Sequence, residues 1–206
     1  MKSLHQSILH HLKTAPAGGV FTPRDFVALG SRDAVDQALS RLARAGDLQR
    51  VGRGLYHVPQ VNRRLGITVP PDVDQLATAV ARQTGSRIMP TGAAAANQLG
   101  LSTQVPARAV YLTDGRSRSL RVGAFDIQFK HVAQRNFNVR HPSSALVFQA
   151  LRYLGKSAVG DRTLRALRAA LTPAQRRALR DDARFAPDWV AGVIRGLDKG
   201  ATTPQN

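Results

Sequence analysis

Leu4, Ile8, Leu9 and Leu12 recur at helical spacing across residues 3–13, and Ala-Pro-Ala-Gly-Gly at 15–19 breaks that helix. Thr22-Pro23-Arg24-Asp25 signals a new helix start. Thr22 is the cap, Pro23 takes the first helical position, and Asp25 can reach back to the cap. Phe26, Val27 and Leu29 supply the apolar face of this short helix, Gly30 ends it, and Ser31 caps the next. Over about 32–45, Val35, Ala38, Leu39 and Leu42 form one apolar stripe. Arg32, Asp33, Asp36, Gln37, Ser40, Arg41 and Arg44 fall opposite, and Gly46 stands where a left-handed C-terminal cap belongs. Leu48–Val51 and Leu55–Val58 flank Gly52-Arg53-Gly54, a β-hairpin with a glycine-rich tip that Pro59 closes.

Residues 59–71 break the pattern with Pro59, Pro70 and Pro71 and have the composition of a linker. Val73, Leu76, Ala77, Val80 and Ala81 then define an amphipathic helix over 73–84. Arg87-Ile88-Met89 is strand-like. Ala93–Ala96 form a helix with almost no side-chain bulk, able to approach a neighbour closely. A strand is expected from Ala107 to Thr113, followed by a turn at Asp114-Gly115. Leu120–Val122 and Phe125–Lys130 alternate with period two, with Phe125, Ile127 and Phe129 inward. Together these predict a small antiparallel sheet, with the basic turn Arg116-Ser117-Arg118-Ser119 at its tip. From 142 to 197 the periodicity is helical, with starts at Pro142-Ser143-Ser144 and Thr172-Pro173. Arg176, Arg177, Arg180 and Arg184 fall on one outer face.

Helix, short helix, turn, helix, hairpin is the order of a winged helix-turn-helix domain. The expected architecture is α+β. The winged unit occupies 1–60 and a linker 61–71. A mixed C-terminal domain, with a small antiparallel sheet and several helices, spans 72–200, and a frayed tail follows at 201–206. In such a unit the second motif helix enters the DNA major groove by its N-terminal end. Here that end offers Ser31, Arg32, Asp33, Asp36 and Gln37. Arg forks to guanine, Gln pairs with adenine and Asp accepts from cytosine. Ser40, Arg41 and Arg44 lie farther along, where phosphates are the expected targets. Thr22 and Arg24 sit at a helix start, whose free N–H groups suit phosphate. Arg50 and Arg53 on the wing would reach the backbone or minor groove. Arg116 and Arg118 are candidates for secondary phosphate contacts. The competing assignment is a small domain that binds protein.

Charge favours the nucleic-acid assignment. The 206 residues hold 30 Lys and Arg against 13 acids, a formal +17. Twenty-five of the 30 are Arg, whose planar fork matches phosphate and guanine edges. The excess is dispersed: +6 over 1–64, +5 over 65–149 and +6 over 150–206. Self-repulsion makes a uniformly cationic fold costly unless its partner is a polyanion.

Catalysis is not expected. All the acids are Asp, and there is no Cys, so disulfides, thiolate zinc sites and cysteine nucleophiles are excluded. Asp33 and Asp36 superficially suit a nucleotidyltransferase, but that chemistry sets two carboxylates on one strand face around Mg²⁺, and these lie three apart on a helix. Asp72-Val73-Asp74 has the spacing yet opens a helix, where Asp caps. The six His are scattered without carboxylate partners. No P-loop, dinucleotide fingerprint or nucleophile elbow is present. The expectation is a protein without cofactor, metal or small-molecule substrate. With no apolar run of about 18–20 residues and no signal-peptide core after Met1, it is placed in the cytoplasm, away from membranes.

Phe21–Phe26, Gly30–Leu42 and Gly54-Leu55-Tyr56 resemble the N-terminal domain of AbiEi-type antitoxins. The likeness continues through Pro90–Leu101, Gln104-Val105-Pro106 and Tyr111–Gly115, covering roughly 18–150. The resemblance implies a bacterial antitoxin and transcriptional autorepressor. Its winged helix would bind double-stranded DNA at an inverted-repeat operator in its own promoter. Its C-terminal domain would counter a cognate toxin of nucleotidyltransferase fold. A stand-alone regulator, or a protein-binding module without a toxin, is the alternative.

Overall fold

The computed structural model describes residues 3–15, 18–104, 108–123 and 125–198. The chain is α+β, with small antiparallel sheets among many helices. The expected tail at 201–206, residues 16–17 of the expected helix break, Val105-Pro106 and the first residue of the strand expected at Ala107 lie outside the described residues. Two compact units form. One takes the chain up to Ile88 together with Ser119–Ile127; the other takes Met89–Arg118 and the chain from Gln128 onward.

In the first unit, helix α1 (Leu4–Thr14) is followed by the two-residue strand β1 (Val20–Phe21) and a 3₁₀ turn at Pro23–Phe26. Helix α2 (Arg32–Ala45) leads into β2 (Gln49–Gly52) and β3 (Leu55–His57). The sheet order is β1-β3-β2, antiparallel throughout, with Phe21 opposite Tyr56 and Arg50 opposite Tyr56 on the other edge. The core beneath it joins Ile8, Leu12, Phe21, Phe26, Val35, Leu39, Leu42, Leu48 and Tyr56. Full burial of about ten such side chains is what fixes a unit this small, at roughly 1.5–3 kcal/mol for each large one.

The short helix differs from its expectation. It ends at Phe26, and Val27 and Leu29 are 53% and 45% exposed, so only Phe26 enters the core. A four-residue 3₁₀ turn presents a narrower inward face than an α-helix of the same span.

The stretch from Gln60 to Val69, expected as a linker, is a β-ribbon. Strands β4 (Gln60–Asn62) and β5 (Ile67–Val69) pair antiparallel, with Val61 opposite Thr68. Helix α3 (Val73–Thr84) then packs into the first unit, which therefore runs well past residue 60. Its buried face is Leu76, Ala77, Val80 and Ala81. Asp72 caps α3 by accepting from the Gln75 backbone N–H at 3.0 Å, the role its position predicts.

Four further strands, β6 (Ile88–Pro90), β7 (Ala109–Thr113), β8 (Arg118–Val122) and β9 (Phe125–His131), form a sheet in the order β6-β7-β9-β8. Ile127 and Phe129 are buried, and Asp126 and Lys130 are exposed, as the alternation requires. Helix α4 (Gly92–Gln98) lies against α5 (Pro142–Leu154). The approach is so close that a Cβ at Gly92 would sit 2.5 Å from the Tyr153 Cβ and 2.8 Å from the Gln149 carbonyl. Helices α6 (Asp161–Ala170), α7 (Pro173–Asp182) and α8 (Asp188–Asp198) complete a core around Val147, Leu151, Leu167, Leu179, Val190 and Ile194. Asp182 is fully buried there, and its carboxylate accepts from the backbone N–H groups of Arg140 at 3.3 Å and His141 at 3.0 Å.

Candidate nucleic-acid interface

Helix α2 is amphipathic in the way its sequence demands. Val35, Leu39 and Leu42 are wholly buried and Ala38 nearly so. Ser31 caps it by accepting from the Ala34 N–H at 3.4 Å, and Gly46 ends it with φ +86°, a backbone region that costs glycine little. The opposite face is open. Ser31, Arg32, Asp33, Gln37, Arg41 and Arg44 are exposed, and Asp36 and Ser40 are half-buried. Near the helix N-terminus the Arg32 Nε donates to Asp36 Oδ2 at 2.9 Å, with the two side chains 59% and 44% exposed. An exposed i,i+4 pair of this kind is worth about 0.3–0.5 kcal/mol. It holds the guanidinium in place loosely enough for a competing acceptor to take it.

The hairpin tip carries the other expected cations. Arg50 and Arg53 are both exposed. Gly54 turns the chain with φ +67°, and a Cβ there would lie 2.7 Å from Gln83 Nε2. That contact marks a support the sequence did not reveal. Gln83, on α3, donates through Nε2 to the Arg53 carbonyl at 3.4 Å.

Its neighbour Arg82 braces the 3₁₀ turn. Nε donates to Asp25 Oδ1 at 2.9 Å, and Nη2 donates to Asp25 Oδ2 at 3.2 Å and to the Val20 carbonyl at 2.8 Å. A flat guanidinium suits this fork; an ammonium does not. Both residues lie 30 or more positions from their targets, and no local pattern announces such pairs.

Thr22 does not stand where a phosphate could reach it. It is 0% exposed, and its N–H and Oγ1–H both donate to Asp25 Oδ2, at 2.8 and 3.1 Å. The capping box that the sequence predicts forms, and forming it takes the hydroxyl into the core. Arg24 is exposed, but its Nη1 donates to the Gln83 carbonyl at 3.5 Å, beside the C-terminus of α3, where the helix dipole favours a cation.

Arg116 and Arg118 part company. Arg116 is exposed on the turn before β8. Arg118 belongs to β8 itself, not to the turn tip, and its guanidinium lies 5.1 Å from the Phe129 ring centroid. Burial lowers its pKa from the usual arginine value without threatening its charge. Among the described residues, no group of three His or Asp could hold a metal ion, and no helix is long and apolar enough to cross a membrane.

What the geometry assembles in the first unit is one open helix face and one open hairpin tip. Arg32, Gln37, Arg41, Arg44, Arg50 and Arg53 are exposed upon them. A family model described as a family of unknown function, DUF6088, matches residues 7–179. No curated protein matches the chain. Among solved structures, the RV2827C protein from Mycobacterium tuberculosis is similar at 17% identity, with a TM-score of 0.38, over 98% of this chain and 78% of that one.

Proposed function

The chain belongs to the DUF6088 family, whose function is unknown, and we propose that it is a sequence-specific double-stranded-DNA-binding regulator that works through a winged helix-turn-helix in its first unit. The observation that carries this is the division of α2: its apolar stripe is wholly buried while Arg32, Gln37, Arg41 and Arg44 face outward. The α1, β1, 3₁₀ turn, α2, β2, β3 order, with β1 closing the hairpin into the β1-β3-β2 sheet, is the order of a winged helix. In that arrangement α2 enters the major groove by its N-terminal end, where Arg32 and Gln37 reach base edges. Arg41, Arg44, Arg50 and Arg53 meet phosphates or the minor groove and position the helix without reading sequence. Arg32 leaves Asp36 when it takes a guanine, and Asp36 is then free to accept from cytosine.

Through the resemblance to AbiEi-type antitoxins, the role extends to repression of the protein's own operon at an inverted repeat. The second unit would then counter a toxin of nucleotidyltransferase fold.

Binding to the upstream region of the gene, read by fluorescence anisotropy against random duplex, tests the proposal. Arg32→Ala/Gln37→Ala/Arg41→Ala should erase the preference, at about 1–3 kcal/mol for each specific contact, with the fold intact. Arg53→Ala should weaken every duplex alike and lower the salt slope by about one. Equal affinity of the unaltered protein and the triple variant for the upstream region would overturn the assignment.

A further inference from the structure

Two features of the β4–β5 ribbon have no use inside the molecule. The first is its isolation. β4 and β5 pair only with each other, and a two-stranded ribbon is marginal in water on its own. The second is its surface. Val61 is 58% exposed, Leu65 63% and Ile67 53%, three of the most exposed large apolar side chains described. The register puts Val61 on one face of the ribbon and Ile67 on the other, so neither face covers a core.

The tip is nonetheless well built. The Asn62 side-chain oxygen accepts from the Arg64 and Leu65 N–H groups at 3.1 and 3.2 Å. The Asn62 carbonyl accepts from the Leu65 and Gly66 N–H groups at 3.1 and 2.8 Å, and Gly66 takes φ +63°. A turn closed four times over presents Arg63, Arg64 and Leu65 outward in fixed order. At its base, Gln60 Oε1 would lie 3.3 Å from a Cβ at Gly18, beside the strand that opens the three-stranded sheet.

Charge says what the ribbon faces. Between Asp47 and Asp72 lie Arg50, Arg53, Arg63 and Arg64 and not one carboxylate side chain. The β2–β3 hairpin and the ribbon are thus two successive cationic fingers, separated only by Val58 and Pro59. An exposed leucine between a pair of arginines and a glycine is the composition of a tip that lies in a minor groove, with cations at the phosphate walls and an apolar group on the sugars.

We infer that the β4–β5 ribbon is a second arm on double-stranded DNA, holding the duplex beside the base pairs that α2 reads. Arg63 and Arg64 contact the backbone, and Leu65 contacts the minor-groove surface. The inference rests on the winged-helix assignment above and adds to it a longer footprint and a larger electrostatic share of binding.

The test uses the full chain and a duplex from its own upstream region, with random duplex alongside. Arg63→Ala/Arg64→Ala should lower the salt slope of log affinity by about two and weaken both duplexes alike. Leu65→Ser should strip hydroxyl-radical protection from the outer edge of the footprint while leaving its centre. All three side chains are exposed, so the melting temperature of the free protein should not move. Unchanged slope and footprint in both variants, with α2 variants still impaired, would overturn the second arm alone. Failure of the unaltered protein to bind any duplex would remove both assignments together. A change of oligomeric mass with DNA affinity intact would show the ribbon covering a second copy and would equally overturn the inference.

Discussion

His57 sits on β3 with 1% of its surface exposed, and its Nδ1 meets no hydrogen-bond partner among the described residues. Burial lowers its pKa from the ordinary 6.5, so the fold favours the neutral imidazole. Below pH 6.5 the unfolded chain takes up a proton more readily than the folded chain does. Stability from this group is therefore fully present above 6.5 and is lost as the pH falls below it. Melting temperature should drop between about pH 7.5 and about pH 5.5, on either side of the ordinary imidazole pKa. His57→Leu should show a smaller drop, and an equal drop in both proteins would remove His57 as a cause. Thr22 carries a related lesson. Its capping role is plain from Thr22-Pro23-Arg24-Asp25, but a cap that serves two donors to one carboxylate is drawn inside, away from any phosphate. Spacing reveals the partner of a side chain sooner than it reveals which way the pair faces.

Among the elements, α3 matters beyond its own length. Arg82 and Gln83 are neighbours on it, and they hold the 3₁₀ turn before α2 and the tip after it. Removing Arg82 takes the guanidinium donors from Asp25 Oδ1 and the Val20 carbonyl, while Asp25 Oδ2 keeps the Thr22 donors. Arg82→Ala should cost about 1–2 kcal/mol in urea unfolding, less than a fully buried pair because the Arg82 side chain is 41% exposed. Arg82→Lys should fail to restore it, since one ammonium cannot serve three acceptors in a fork. A cost under a few tenths of a kcal/mol would show that the clamp is ornamental. In the second unit, the bulk-free Ala93–Ala96 run predicts a close approach, and α4 on α5 provides it. Gly92→Ala should destabilise by about 1–3 kcal/mol, because its methyl meets the Tyr153 Cβ and the Gln149 carbonyl, and neither atom can swing aside. Chemical denaturation measures this, and a neutral result would mean that α4 slides freely on α5.

Across the whole molecule, +17 spread over the chain sets two responses to salt of opposite sign. Screening relieves self-repulsion, so the free protein should melt higher at about 0.2 M than at about 0.02 M salt. The same increase should weaken DNA binding steeply, because each neutralised phosphate releases counterions. Calorimetry and anisotropy on one preparation check both. A free protein indifferent to salt would mean that its cations are already compensated locally, as Arg121 is by Asp126 at 2.8 Å.

The elements with complete local signals were legible from the chain alone: α2 with its stripe, Ser31 and Gly46; the Arg53 tip between two glycines; β9 with its alternation; α3 with Asp72. Their determinants lie within a turn or a strand of the residues concerned, so a linear pattern contains them. The ribbon at 60–69 was hidden because short strands bounded by prolines have the composition of a linker, and only the Asn62 turn closes them. The burial of Thr22, the exposure of Val27 and Leu29, the seat of Arg118 on Phe129 and the reach of α3 back to Asp25 and Arg53 were decided by tertiary packing. Each depends on partners that lie far apart along the chain or on which face a neighbour covers, and neither distance nor direction in space is written in spacing.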